Sequence, residues 1–380
     1  MSSKSSVAEA KQQIPGLKPA VGIDVGTYTL VVAGRDENGD IEFREEVNGF
    51  FEIRLTKETR VFYGMVKDSG APIYEIPDRQ VAYILGKAAR EQAFAWSSVL
   101  GGRASESEIF QRTMKDGILS TRDSNESFNV LKMMVGALVH PYLRGGDKTP
   151  VAFSHPGPPL DRNDLDPEYH KRTIGTMLQK VGNIKPDAYG LNEAMAIVEA
   201  ELGGEGYSGL AISCGAGMTN VAFSVMGMPI FTFSIVGGGD WIDRSAAHAS
   251  GTDPIIVNQV KMGEVNEDGQ GLDLMKAPSG ENAHIERALH THYDILIDKI
   301  VQGVEKFVRE KQAKVMATKK PSVVVAGGTA SPNGFIERLS DKLSAADLGS
   351  FKIGDVRKAD RNLYTVAKGL LLNAERMQRQ

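Results

Sequence analysis

The chain has 380 residues, 44 Lys+Arg against 48 Asp+Glu, a formal net charge of −4, 41% hydrophobic residues and one cysteine. That length accommodates two domains or one bilobed unit, and the charge balance argues against direct nucleic-acid binding. The lone Cys214 excludes an intrachain disulfide and suits a reducing cytoplasm, and no apolar run reaches membrane-spanning length.

Met1 to Ala20 is polar and small, broken by Pro15 and Pro19. It lacks a signal-peptide core and the Trp/Phe/Leu face of a membrane-surface helix, so it reads as a mobile tail. Strand-like runs follow at 21–25, 29–34, 40–47 and 50–55. Segment 61–123 is mixed, with a helix expected around Gly86 to Trp96 and a Gly/Ser-rich loop from Ser97 to Ser107. Phe128, Leu131, Val135, Leu138 and Val139 share one face, which predicts a helix over 125–139 capped by Asp123 or Ser124. Val151 to Phe153 reads as a buried strand stopped at His155-Pro156-Gly157-Pro158-Pro159. Helices are expected near 167–181, closing at Gly182-Asn183, and over 193–202, closing at Gly203-Gly204.

A second strand pair brackets Ser213 to Thr219, Pro229 to Phe233 adds a strand, and Gly239-Asp240 leads into a helix through Ala247. The clearest amphipathic helix is 286–310, with Leu289, Tyr293, Leu296, Ile297, Ile300, Val301, Val304, Phe307 and Val308 on one face. Val323 to Ala326 is a buried strand. The last helix aligns Leu363, Val366, Ala367, Leu370, Leu371, Ala374 and Met377. Strands cluster and helices follow, twice over, which predicts two similar mixed α/β halves around a ligand cleft. The Met133-Met134 pair reads as core, Lys319-Lys320 as a solvated turn, and the seven histidines show no metal spacing.

Three glycine-punctuated segments carry the functional signal. Asp24-Val25-Gly26-Thr27-Tyr28-Thr29 and Ser213-Cys214-Gly215-Ala216-Gly217-Met218-Thr219 each lie between two apolar runs and read as β-hairpins with tight turns. Gly327-Gly328-Thr329 ends the third strand. Successive turn amides form an anion-binding concavity, and two such hairpins across a cleft would clamp the phosphates of a nucleotide. Asp24 is the candidate for holding a hydrated Mg²⁺, which takes few protein ligands; the bland alternative is an Asx-turn carboxylate. Thr27 and Thr29 offer hydroxyls to phosphate oxygens, or are simply strand formers.

In order and spacing these segments resemble the actin-like ATPase superfamily, over nearly the whole chain. The resemblance implies two α/β lobes: 21–206 with 360–380, carrying a smaller subdomain at 61–123, and 207–359, carrying one at 249–319. It implies ATP or ADP with Mg²⁺ as cofactors. It places Gly26, Thr27, Tyr28, Thr29, Gly215, Ala216, Gly217, Met218 and Thr219 at the phosphates. Asn258 and Lys261, in a segment resembling the family's adenine-side helix, fall with Gly239, Gly327, Gly328 and Thr329 at the adenosine. Leu191-Asn192-Glu193-Ala194-Met195-Ala196 resembles the family's E-P-x-A-A-A segment, which makes Glu193 the group that positions the attacking water; otherwise it is a first-turn glutamate favoured by the helix dipole. The chain departs from the pattern at Ser213, where relatives usually carry aspartate, and at Ala216, where actin has another. One metal-orienting carboxylate is therefore missing, hydrolysis is expected to be slow, and Ser213→Asp is expected to raise turnover.

Met114-Lys115-Asp116-Gly117-Ile118-Leu119 and Thr365-Val366-Ala367-Lys368-Gly369 resemble segments of MreB-like proteins. These belong to the bacterial branch that includes plasmid-segregation and magnetosome filaments. That branch implies a cytoplasmic, ATP-binding cytoskeletal protein polymerising head to tail, with an unknown cargo or adaptor and neither nucleic-acid contact nor membrane insertion. A non-polymerising actin-fold adaptor or a small-molecule kinase stays open as the alternative.

Overall fold

The computed structural model describes residues 19–99, 109–121, 123, 125–143, 148–182, 184, 189–266, 269–311 and 320–378, with only the backbone at Phe94 and from Ser97 to Val99. Nearly all of the expected tail, most of the Ser97–Ser107 loop, and Ser124, Asn183 and Lys319 lie outside them.

In chain order the strands are β1 (Val21–Val25), β2 (Thr29–Arg35), β3 (Ile41–Val47), β4 (Phe50–Arg54), β5 (Ile73–Ile76), β6 (Val81–Leu85), β7 (Phe110–Gln111), β8 (Val151–His155), β9 (Tyr189–Asn192), β10 (Gly209–Cys214), β11 (Thr219–Val225), β12 (Met228–Ile235), β13 (Val323–Ala326) and β14 (Val356–Lys358). The helices are α1 (Arg60–Asp68), α2 (Gly86–Val99), α3 (Asn125–Val139), α4 (Pro167–Gln179), α5 (Glu193–Glu201), α6 (Gly239–Ser250), α7 (Pro254–Met262), α8 (Ala283–Glu310), α9 (Phe335–Ala345) and α10 (Thr365–Met377).

Two five-stranded sheets repeat one plan, β3-β2-β1-β8-β9 and β12-β11-β10-β13-β14. In each, an antiparallel meander of three strands is extended by two parallel ones. β1 and β10 are the central strands. All six residues of β10 are buried, as a strand covered on both faces must be.

Helices α5 and α10 lie between the sheets. Ala194–Val198 and Val366, Ala367, Leu370, Leu371 and Ala374 share one core cluster with Val31 and Ala152 of the first sheet and Ala211, Ala222 and Val324 of the second. Small residues let the backbones close in: a Cβ on Gly369 would fall 1.8 Å from the Ala196 carbonyl oxygen. The outer faces are covered by α3 and α4 on the first sheet and by α8 and α9 on the second. Asp166 caps α4 by accepting from the Tyr169 N–H, with Pro167 opening the helix. Asn192 caps α5 through the Ala194 and Met195 amides.

A four-stranded antiparallel sheet of order β5-β6-β4-β7 joins β4, from the expected run at 50–55, to β5, β6 and β7 of the segment that reads as mixed in the sequence, with α1 and α2. Its core packs Phe51, Phe62 and Trp96 together. Tyr189–Asn192, for which the sequence carries no strand signal, form an edge strand. Three local expectations are corrected. Ser97–Val99 continue α2 instead of opening a loop. Met133 is 37% exposed beside buried Met134. Leu363 lies before α10, is 54% exposed and does not join its buried face.

Candidate functional site

The two hairpins occupy equivalent positions. Val25 pairs with Leu30 and Cys214 with Thr219, so each turn spans four residues, Gly26–Thr29 and Gly215–Met218. The equivalence aligns Asp24 with Ser213, one residue before the last paired position of each strand. The turns meet: a Cβ on Gly217 would fall 2.3 Å from the Gly117 amide nitrogen and 2.5 Å from Thr27 Oγ1. The Gly117 backbone in turn lies against the Met218 side chain. Glycine is required at 217 by this close approach between the lobes.

Asn48, fully buried, holds the first turn: its Nδ2 donates to the Gly26 carbonyl at 2.8 Å and its backbone N–H to the Tyr28 carbonyl at 2.7 Å. Carbonyls of the second turn face α6 and the third glycine segment. Gly215 O accepts from the Gly239 amide at 3.1 Å and from Thr329 Oγ1 at 2.8 Å, and Ala216 O from the Asp240 amide at 2.9 Å. Thr219 Oγ1 donates to Gly237 O at 2.8 Å.

Two carboxylates stand at the junction of the lobes. Ser154 Oγ donates to Asp24 Oδ1 at 2.8 Å while accepting from the Val25 N–H at 2.9 Å. Glu193, the first residue of α5, accepts at Oε2 from Asn220 Nδ2 at 3.0 Å and Ser213 Oγ at 3.2 Å. Burial drives the Asp24 carboxyl above the usual carboxylate range, with the Ser154 bond pulling against it. Burial also raises Glu193, reinforced by the Asp24 charge and opposed by the Ser213 and Asn220 bonds. Neither makes an ion pair among the described residues. Two mutually repelling, half-buried carboxylates suit a divalent cation. Asp24 lies on β1 two residues before the first turn, Glu193 opens α5, and the described residues contain no cluster of three or more His, Cys, Asp or Glu able to hold a metal. That donor set fits Mg²⁺, which keeps its waters, better than a metal needing a full protein cage.

On the far side of the second turn, Lys261 Nζ bonds both Asp243 oxygens at 2.7 Å, and Asn258 Nδ2 reaches Asp243 Oδ2 at 2.8 Å. Residue type alone suggests an exposed helix lysine; here the Lys261 side chain is 9% exposed in a buried ion pair. Gly239 adjoins this group: its Cβ would lie 3.0 Å from Thr329 Oγ1 and 3.6 Å from Lys261 Nζ. Asn362 Nδ2 donates to the Gly327 carbonyl at 3.1 Å, and Gly328 borders Leu363. His155 Nδ1 bonds the Pro156 carbonyl at 2.9 Å, a turn contact. Cys214 is fully buried and its thiol is pushed up to about 12, which leaves it without nucleophilic character.

Sequence reasoning missed three contributors. Ser154 meets Asp24 only through the parallel β1–β8 register. Asn220 follows Thr219 on the strand and carries no motif signal. The third is a bridge between the lobes: Arg112 Nη1 bonds Asp240 Oδ2 at 2.7 Å, and its guanidinium lies 4.8 Å from the Tyr28 ring centroid. Arg90 donates to the Tyr28 hydroxyl from the same side.

Two duplicated α/β lobes, with facing hairpin turns between them, define an actin-like fold. The structure superposes on a MamK double helical filament subunit and on MreB5 of Spiroplasma citri bound to ADP, each with TM-score 0.61, 15% identity, and coverage of 96% of this chain and 99% of the other. A non-polymerising MamK mutant bound to AMPPNP gives TM-score 0.53 and 16% identity over 94% of this chain and 99% of that one. The profile of the Volactin family matches residues 20–374, and the chain belongs to that family. No curated protein matches its sequence. Among the described residues no helix is long and apolar enough to cross a membrane.

Proposed function

We propose that the chain binds ATP or ADP with Mg²⁺ between its two hairpins and polymerises head to tail into cytoplasmic filaments, with slow ATP hydrolysis. The observation that carries this reading is the meeting of two equivalent glycine turns, one from each lobe, beside a pair of half-buried carboxylates. Gly26, Thr27, Tyr28 and Thr29 from one side and Gly215, Ala216, Gly217, Met218 and Thr219 from the other would cradle the phosphates. Asp24 would hold the ion through its waters, and Mg²⁺ when bound neutralises phosphate charge. Glu193 would orient the attacking water, since transfer to water depends on positioning and electrostatics. Gly239, Asn258, Lys261, Gly327, Gly328 and Thr329 would receive the adenosine.

The lobes are taken as 21–206 with 360–380 and as 207–359, and their closure over nucleotide would favour the polymer-forming state. Head-to-tail stacking is a heterologous contact, which propagates as a filament. The relatives support the reading in kind: one MamK structure is a double helical filament, and the MreB5 structure holds ADP. Cargo would be recruited through an adaptor, without direct nucleic-acid or membrane contact. Ser213 favours one second reading, an adaptor that binds nucleotide and scarcely hydrolyses it.

Pelleting and negative-stain microscopy with Mg²⁺ plus ATP, ADP or no nucleotide test the proposal. Nucleotide-dependent filaments are expected. Protein that binds nucleotide yet stays soluble under every condition would turn the reading to the adaptor.

A further inference from the structure

Glu193 belongs to α5, at the end of the first sheet, yet both of its donors come from the second sheet. Ser213 on β10 and Asn220 on β11 are cross-strand partners, so their side chains stand side by side on one face of the hairpin. Both engage the same oxygen, Oε2, and Oε1 receives neither. The Asn220 amide is itself fixed: its Oδ1 accepts from the Gly157 N–H at 2.8 Å, which leaves the NH₂ group facing Glu193. Asn220 is fully buried and Ser213 is 4% exposed, so neither bond competes freely with water.

We propose that Ser213 and Asn220 are positioning residues that form a two-donor fork on Glu193, holding one carboxylate oxygen so that the other is presented in a single orientation. The proposal rests on the reading of Glu193 as the water-orienting group. It gives Ser213 a task that aspartate cannot perform. A carboxylate at 213 has no proton to donate and would set like charge against Oε2 of Glu193. Loss of a family carboxylate at 213 is then the gain of a donor. The expectation that Ser213→Asp raises turnover is reversed.

The test is single-turnover ATP hydrolysis read beside ATP affinity. Ser213→Ala is expected to lower the rate about fivefold and Asn220→Asp about tenfold or more, with the ATP Kd within about twofold, since each removes one hydrogen bond to the half-buried Glu193 carboxyl. Ser213→Thr keeps the hydroxyl and is expected to recover most of the loss. In a Glu193→Gln background, Ser213→Ala is expected to have little further effect, because the fork then has no carboxylate to orient. A loss of the same size in that background, or a faster Ser213→Asp variant, overturns the proposal while leaving the nucleotide reading intact. A folded wild-type chain that binds ATP and never hydrolyses it overturns the water-orienting role and the fork together. A chain that binds no ATP overturns the proposed function itself.

Discussion

The two hairpins share sheet position and turn length, and the aligned pair Asp24 and Ser213 sets their contacts apart. In the first lobe Asp24 on β1 is met by Ser154, the residue after Phe153, which pairs with Ile23 across the parallel register. In the second, Ser213 on β10 pairs with Ala326, which offers no hydroxyl. A carboxylate with its own donor has become a hydroxyl with none opposite it, and that hydroxyl turns to Glu193 instead. Duplicated architecture thus carries divided labour: one hairpin brings the negative charge suited to an ion, the other brings neutral donors. The far side of the second turn extends the contrast, because the buried Asp243–Lys261 pair sits there.

The sharpest way to break this division is to remove Lys261. Lys261→Met leaves Asp243 buried with only the Asn258 amide, and stability to denaturant is expected to fall by about 3–5 kcal/mol. Asp243→Asn with Lys261→Met is expected to recover much of that. A single variant as stable as wild type would show that the pair is not needed behind the second turn.

Next come the turns themselves. Gly217→Ala places a methyl against Gly117 and Thr27 of the other lobe, whereas the Cβ of Gly26→Ala meets only the Thr29 carbonyl oxygen of its own turn, at 2.6 Å. Both are expected to lower stability by about 1–3 kcal/mol. Only Gly217→Ala is expected to expand the molecule in small-angle scattering. Equal scattering from the two would contradict a lobe contact at Gly217.

Acid separates the lobes by a different route. His170 on α4 is fully enclosed, accepts from the Leu119 N–H at Nδ1, and burial pushes it down to about 3. The unfolded chain binds that proton near pH 6.5 and the folded one does not, so this contribution to stability is present above pH 6.5 and drains away as pH falls towards 3. In the second lobe, His290 and His292 are only half-buried. Thermal unfolding between pH 7 and 5 is expected to lose on the order of 1 kcal/mol per pH unit through His170. His170→Asn, which keeps an acceptor for Leu119, is expected to flatten the slope. An unchanged slope would assign the acid sensitivity elsewhere.

Ser154→Ala has the smallest expected effect. It strips Asp24 of its donor, and Mg²⁺-dependent ATP affinity is expected to fall about fivefold, one hydrogen bond's worth. No change would remove Ser154 from the first hairpin's task.

Much of the architecture was legible in the sequence because its signals are local. Glycine turns between apolar runs marked both hairpins, and the 3.6-residue periodicity over 286–310 marked α8 within three residues at its start. The small sheet was not legible. β7 has two residues, and its partner β4 lies far back in the chain, so no local pattern announces the pairing. At the site, Asp24 and Glu193 were readable from their segments. Ser154, Asn220 and Arg112 act through register and contact between lobes, which residue type does not encode. The burial of Lys261 was not legible for the same reason: its partner Asp243 stands on another helix.

The proposed function stands on one nucleotide bound between the two turns with Mg²⁺. Calorimetric titration of ATP and ADP into the full chain, with and without Mg²⁺, measures that binding. One nucleotide per chain is expected, with at least about tenfold weaker binding once the ion is chelated. Folded protein that takes up neither nucleotide under either condition would contradict it.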